Sequence, residues 1–159
     1  MFLTHIQAQD ANTINPFAYE VNVTGSSIVF VRAMPSSLFY TVDPKLPNKE
    51  KEKTSYILSK TVSPVAIEDK KAFALMRIRM QPIEIISIES TTEVTIDRLS
   101  GYEILAKGKN KTTGEEIHVY QVVLFTDKMN YYLIVGTTND TTGSTITDFK
   151  KVSLTFKRK

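Results

Sequence analysis

The chain has 159 residues, no cysteine, and 20 Lys and Arg against 17 Asp and Glu, which gives a net charge of +3. This length fits one domain with a substantial core, and the absence of cysteine excludes disulfides, thiolate metal ligands and cysteine nucleophiles. The small positive surplus is spread along the chain and forms no basic stripe, so we predict no nucleic-acid partner, and no run approaches the roughly 20 apolar residues of a membrane span.

The first ten residues, MFLTHIQAQD, have two interpretations. They are either a flexible tail or the remnant of an export signal with a small-residue cleavage site, although they lack the basic start and the 7–15-residue apolar core of such signals. In the second case the mature chain begins near Gln9 or Asp10, and the protein is periplasmic or secreted; in the first, a cytoplasmic location stays open. We assign residues 1–14 to this segment and residues 15–159 to a single domain.

Residues 17–23 and 28–31 alternate or run apolar around the polar turn 24–27, a pattern that predicts a hairpin. Pro35 ends the second strand, and Ser36 or Ser37 is expected to cap a short helix that runs to Val42. Residues 43–53 contain two prolines and a mixed-sign run of charges at 48–53, which is typical of a solvated loop.

The dipeptide Ser63-Pro64 predicts a helix start, and helix-favouring residues continue to about Arg77. Residues 76–80 taken alone alternate like a strand. Pro82 ends this element, and the β-branched residues of 83–88 and 93–96 predict an extended segment that leads into a turn at 97–101.

Three antiparallel strands are predicted at residues 102–107, 117–125 and 131–136, joined by polar turns at 108–114 and 127–130. Residues 117–125 are apolar on both faces, which is typical of a central strand covered on both sides. Helices are the expected cover.

The last predicted element is a helix with Ile146, Phe149, Val152 and Phe156 on one face. Thr145 and Asp148 have the spacing of a capping box, and the basic residues 157–159 are expected at the negative end of the helix dipole.

This order of elements, with the segments LSGYEILAKG (99–108), VYQVVLF (119–125), YYLIVG (131–136) and FKKVSLTF (149–156), resembles the fold family of the photosystem extrinsic subunit PsbP and the Ran-binding Mog proteins. Secreted or periplasmic bacterial proteins of unknown role look similar. The resemblance implies an α+β fold, an α/β/α sandwich with a mainly antiparallel sheet flanked by helices, and a binding or assembly role in place of catalysis. The charged run at 48–53 and the short first hairpin depart from the family pattern.

We favour a non-catalytic module that binds a protein partner or a second copy of itself, with Arg77, Arg79, His118 and Tyr120 as candidate binding residues. No cofactor or metal is predicted, because the chain has no glycine-rich phosphate loop and no metal-ligand spacing.

Two alternatives stay open. The first is a small-ligand carrier with an apolar pocket lined by Phe39, Tyr40, Tyr131 and Tyr132. The second is an enzyme that uses His118 with a carboxylate, because the other histidine lies in the N-terminal segment.

Overall fold

A computed structural model describes residues 14–159. Residues 1–13 of the predicted tail therefore lie outside the described residues. Within residues 14–159 there are two helices, α1 (Lys70–Arg79) and α2 (Ser144–Ser153). The strands are β1 (Tyr19–Glu20), β2 (Ile28–Ala33), β3 (Ser37–Val42), β4 (Thr54–Val62), β5 (Glu84–Ile96), β6 (Leu99–Lys109), β7 (Glu116–Phe125), β8 (Asn130–Thr138) and β9 (Lys157–Arg158).

Seven strands form one antiparallel sheet in the order β2-β3-β4-β8-β7-β6-β5. Strand β7 lies inside the sheet between β6 and β8, as the apolar character of both its faces predicted. The three predicted C-terminal strands are confirmed as β6, β7 and β8, and the extended segment before them is the edge strand β5. An α+β fold with a mainly antiparallel sheet is therefore confirmed.

Strand β7 contributes alternate residues to two hydrophobic clusters, because successive side chains of a strand point to opposite faces. Tyr120, Val122 and Leu124 belong to a cluster that includes Phe149 and Val152 of α2. Val119, Val123 and Phe125 belong to a second cluster that includes Ala74 and Ile78 of α1. Each helix therefore packs on one face of the sheet through a pair of fully or almost fully buried residues.

The predicted first hairpin is wrong. Strand β1 pairs with β9 at the other end of the chain, with Tyr19 opposite Arg158 and Glu20 opposite Lys157. Arg158 also donates to Asp97, with 2.8 Å between its Nε and Oδ2. The basic C-terminal residues are thus not at the end of a helix, because long-range pairing holds them in a short strand.

The predicted helix before Val42 is also wrong, since residues 37–42 form strand β3 and pair with β2. Pro35 lies in the turn between these strands, which is closed by a 2.7 Å hydrogen bond from the Met34 amide to the Ser37 carbonyl. Every second residue from Leu38 to Val42 is apolar and buried, which is the pattern of a strand. Burial of these side chains therefore outweighs the tendency of the serines to cap a helix. Strand β4 was not predicted from the sequence. It pairs with the edge of β3 that does not pair with β2.

Helix α1 begins seven residues later than Ser63. Its N-cap is Asp69, whose Oδ1 accepts a 3.0 Å hydrogen bond from the Ala72 amide. The Ser63 hydroxyl instead bonds to the backbone of Val65. Residues 63–69 form a loop fixed to the β7–β8 turn by hydrogen bonds from the Ser63 and Ile67 amides to Met129 and Lys128.

Helix α2 begins without the predicted capping box, because its N-cap is Gly143 in the left-handed region at φ 89°. Asp148 accepts from the amide and the hydroxyl of Ser27, while Asp140 accepts from the Thr145 amide. Burial alone would raise the pKa of Asp140, but hydrogen bonds from Thr145, Thr142 and Ser144 hold that pKa well below its ordinary value. Asp140 therefore supplies the negative charge at the start of the helix.

The charged segment at 48–53 is not wholly solvated. The side chain of Glu52 is 6% exposed and that of Lys49 is 16% exposed, and they form an ion pair at 2.9 Å. The Glu52 carboxylate also accepts from the hydroxyls of Thr54, Thr138 and Thr145. It therefore ties the loop to strand β8 and helix α2.

Candidate functional site

A cleft that suits a ligand lies between helix α1, the loop 63–69 and the end of strand β4, and we call it the α1 cleft. Its volume is about 660 Å³. The lining is mainly apolar but includes one arginine and two acidic residues: Val62, Pro64, Val65, Ala66, Ile67, Ala72, Phe73, Met76, Met80 and Tyr131, with Arg77, Glu68, Asp69, Thr61 and Ser63. A volume of this size lies within the range of small-molecule sites in proteins.

The sequence creates this cleft through two local signals. Pro64 cannot continue strand β4, and Asp69 caps α1, so the seven residues between strand and helix cross the surface as a loop. Ile67 is buried and anchors that loop. The side of α1 that faces the loop carries Phe73, Met76 and Met80, which are spaced three and four residues apart.

Four large apolar side chains of the cleft are unusually exposed: Val62 at 61%, Val65 at 70%, Met76 at 49% and Met80 at 60%. They are half of the eight large hydrophobic side chains that are exposed among residues 14–159. Scattered exposed hydrophobic residues are normal on a surface, but a group of them around one concavity is typical of a binding site. Methionine adds adaptability, because its unbranched side chain fits different shapes.

Arg77 lies where the α1 cleft meets a second cleft of about 240 Å³, between the end of α1 and strands β4 and β8. Its Nε is buried and has no hydrogen-bond partner in the part of the chain that the structure describes. One terminal nitrogen, Nη1, lies 3.4 Å from the sulfur of Met80, which is a weak acceptor. No carboxylate of residues 14–159 forms an ion pair with this guanidinium.

The acidic residues of the cleft lie at its other end. Asp69 caps α1, and Glu68 lies 3.8 Å from the ammonium of Lys128. Arg77 is eight residues along the helix from Asp69, a distance of roughly 12 Å at 1.5 Å per residue. The cleft therefore has an acidic end with existing partners, an apolar middle and a cationic end without one.

The four candidate binding residues do not form one site. Arg77 lines the α1 cleft, whereas Arg79 is exposed on the same helix and does not line it. His118 and Tyr120 point to the face of the sheet that α2 covers. Arg77 is thus separated from both of them by the sheet.

Tyr120 is 1% exposed and belongs to the core, where its hydroxyl donates a 2.7 Å hydrogen bond to Glu103. Burial, with a further contribution from the Glu103 carboxylate, raises the pKa of Tyr120 far above its ordinary value. His118 lies near the end of β7, with its Nε2 3.0 Å from the Glu116 carboxylate. It lines neither cleft, and an isolated pair of this kind defines no reaction.

The aromatic pocket predicted from Phe39, Tyr40, Tyr131 and Tyr132 does not form, because neighbours in a strand point to opposite faces. Tyr40 and Tyr132 lie in the α2 cluster, against Tyr56 and Phe156 respectively. Tyr131 alone of the four lines the α1 cleft. Phe39 lies beneath the guanidinium of Arg32, 5.1 Å from ring centre to Cζ.

The exposure of the four apolar residues of the cleft could be predicted only in part from the sequence. Met76 and Met80 together with Phe73 have helical spacing that would have indicated a second apolar stripe on α1. Val62 and Val65 carry no such signal, because their exposure depends on how the loop 63–69 folds back.

Within residues 14–159, no helix has the length and apolar character needed to cross a membrane. In the same range, no group of three or more His, Asp or Glu side chains is placed to hold a metal ion.

Solved structures resemble this chain, and two of them are described below. One is a protein from Bacteroides thetaiotaomicron VPI-5482, with a TM-score of 0.52 and 11% identity over 89% of this chain and 45% of that one. The chain thus spans less than half the length of the Bacteroides protein. The other is LpqN of Mycobacterium tuberculosis, described as involved in cell envelope biogenesis, with a TM-score of 0.52 and 14% identity over 87% of this chain and 82% of LpqN.

At these identities the likeness shows a shared fold and nothing about activity. No protein-family model matches the chain, and no curated protein sequence matches it significantly. The class that the structure defines is an α+β protein built on a mainly antiparallel sheet.

Proposed function

We propose that this protein is a non-catalytic binding module and that the α1 cleft is its binding site. One observation carries the proposal: half of the exposed large hydrophobic side chains in the described range surround a concavity of about 660 Å³. Apolar area that stays in water has an unfavourable hydration free energy, which a bound apolar group would relieve by about 25 cal/mol for each Å² covered. The ligand therefore binds through an apolar part.

A neutral apolar dye tests this function without involving charge. Nile red should bind the wild-type protein saturably, with a rise in fluorescence. Val65→Glu and Met76→Glu should each weaken binding about tenfold or more, because burying a carboxylate against the dye costs more than 1.4 kcal/mol.

Leu154→Glu is the matched control, since Leu154 is 66% exposed but lies outside the cleft. We expect wild-type affinity for that variant. Equal binding by all three variants, or no saturable binding by the wild type, would remove the cleft as the functional site.

We further propose that the fold is an α/β/α sandwich related to the PsbP and Mog-type proteins. Support comes from the four sequence segments that resemble that family and from the two hydrophobic clusters, each of which includes one helix. A protein partner in place of a small molecule is compatible with the same cleft if the partner inserts apolar side chains. Competition between such a partner and Nile red would identify it.

We also propose that the protein acts in the cell envelope. The apolar and small residues at the start of the sequence support export, and the fold likeness to LpqN, a protein described as involved in cell envelope biogenesis, agrees with it. Fractionation of cells that express the intact gene, with mass spectrometry of the N-terminus, tests this proposal. An uncleaved product confined to the cytoplasm would contradict it.

A further inference from the structure

We infer that the ligand of the α1 cleft is a single-chain amphiphile with an anionic head group, and that Arg77 binds the head. This inference rests on the proposed function, because it requires that the cleft be the binding site. Beyond the proposed function, the inference specifies the charge of the ligand's head group and the orientation of the ligand along α1.

The state of Arg77 supports the anionic head. A guanidinium stays charged at all physiological pH values and carries five N–H donors in a planar fork that suits a carboxylate, sulfate or phosphate. Among residues 14–159, the buried Nε has no hydrogen-bond partner, and the one polar contact of the guanidinium is the Met80 sulfur. Arg77 lines the cleft and no carboxylate of the described residues pairs with its guanidinium, so an anionic head in the cleft would supply the missing partner through the terminal nitrogens.

The charges around Arg77 agree with an anionic ligand. The negative end of the helix dipole, roughly half an elementary charge, opposes an anion at the last turn of α1, but the two positive charges of Arg77 and Arg79 in that turn exceed it. The acidic side chains of the cleft, Glu68 and Asp69, lie at the other end of the helix and already interact with Lys128 and the Ala72 amide. A cationic head would find no free carboxylate near Arg77.

The shape of the cleft supports a single alkyl chain. From Arg77 the apolar lining continues along α1 through Met76 and Phe73 and faces Val65 across the cleft. An alkyl chain along this path would cover Met76, whose flexible side chain adapts to such a ligand. The head would lie at the C-terminal end of α1 and the tail would point toward its N-terminal end.

Displacement of Nile red by three ligands with the same twelve-carbon chain tests the inference: laurate and dodecyltrimethylammonium, each below its micelle concentration, and dodecanol below its solubility limit. We expect laurate to displace the dye at a concentration about tenfold lower than the other two, since a hydrogen bond to a charged group is worth at least 1.4 kcal/mol. Arg77→Gln should remove this preference, and Arg77→Lys should retain part of it. Arg79→Gln, which changes an exposed arginine that does not line the cleft, should retain most of it.

The outcomes separate the two proposals. If Nile red binds the cleft but laurate and dodecanol displace it equally, the anionic head is wrong and the cleft remains the binding site. If none of the three alkyl ligands displaces bound dye, a single-chain amphiphile is the wrong class. If the dye does not bind in the cleft, the proposed function itself fails.

A final comparison uses vesicles of phosphatidylglycerol or phosphatidylcholine, because an anionic head could also belong to a lipid in a bilayer. We expect that Arg77→Gln does not change the amount of protein that sediments with the vesicles, since the cleft has the volume of a site for a single dissolved molecule. Binding to phosphatidylglycerol vesicles that Arg77→Gln abolishes, together with no binding of free laurate, would overturn the inference in favour of a membrane surface.

Discussion

The Glu52→Gln variant tests the buried network that joins the charged loop to the rest of the fold. The Glu52 carboxylate accepts hydrogen bonds from three threonine hydroxyls and pairs with Lys49 at 2.9 Å, while its side chain is only 6% exposed. Glutamine has nearly the same shape. It can still accept from the hydroxyls through its oxygen, but it then turns its amide donors toward the Lys49 ammonium.

The expected loss of stability follows from this geometry. Removal of one partner of a buried ion pair usually costs 3–5 kcal/mol, and Lys49 keeps contacts to Ser144 and Thr145 and is itself 16% exposed, so we expect the lower end, about 3 kcal/mol. For a domain of this size, the melting temperature should fall by roughly 6–12 °C. Urea unfolding at pH 7 measures the change in free energy. Glu50→Gln, a matched change at an exposed neighbour, should alter stability by less than about 0.5 kcal/mol.

The pH dependence provides a second measurement on the same variant. Burial alone would raise the pKa of Glu52, but the hydrogen bonds from Thr145, Lys49, Thr54 and Thr138 hold that pKa below its ordinary value. A lowered pKa in the folded state contributes stability that is present above the unfolded-state pKa of about 4.3 and is lost as the pH falls toward the folded-state value. The difference between wild type and variant should therefore be greatest near neutral pH and shrink below about pH 4. A difference under 0.5 kcal/mol at pH 7, or one that is constant with pH, would refute the role given to Glu52.

Two further predictions concern the core on the α2 side. Gly136→Ala should destabilise the protein by about 1–3 kcal/mol, because the new Cβ would lie 2.6 Å from the ring of fully buried Phe149, and adding Phe149→Leu should cost less in that background than in wild type. Equal costs in urea unfolding would contradict this clash. Tyr120→Phe should cost about 1–3 kcal/mol through loss of the donor to Glu103, while Nile red binding stays at the wild-type level; weaker dye binding would place Tyr120 in the site.

The sequence determined the centre of the sheet because the information there is local. Residues 117–125 are apolar on both faces, and an extended segment of this composition is stable in water only when other elements cover both sides. The neighbouring strands β6 and β8 follow along the chain and are joined to β7 by polar turns. The apolar pattern and the short polar turns therefore indicated the same arrangement, and the three strands could be predicted.

The tertiary structure decided the elements that depend on distant partners. Residues 37–42 carried a serine capping signal, but pairing with β2 and β4 makes them a strand. Glu52 lies in a run of charges that looks solvated, yet side chains from β8 and α2 bury it. Capping signals and charge runs describe only the local chain, whereas these outcomes depend on pairing with neighbouring strands and, for Glu52, on contacts with residues 86 and 93 positions away.

The candidate site belongs to this second group. Arg77 was identified from the sequence, but its unsatisfied Nε and the exposed Val62 and Val65 become visible only when the loop 63–69 folds against α1. The exposure of a side chain and the presence of a hydrogen-bond partner depend on how distant segments pack together. The spacing of apolar residues along the sequence therefore cannot predict them. The sequence by itself thus determined the centre of the scaffold, and the packing of one loop against one helix decided the position of the proposed binding site.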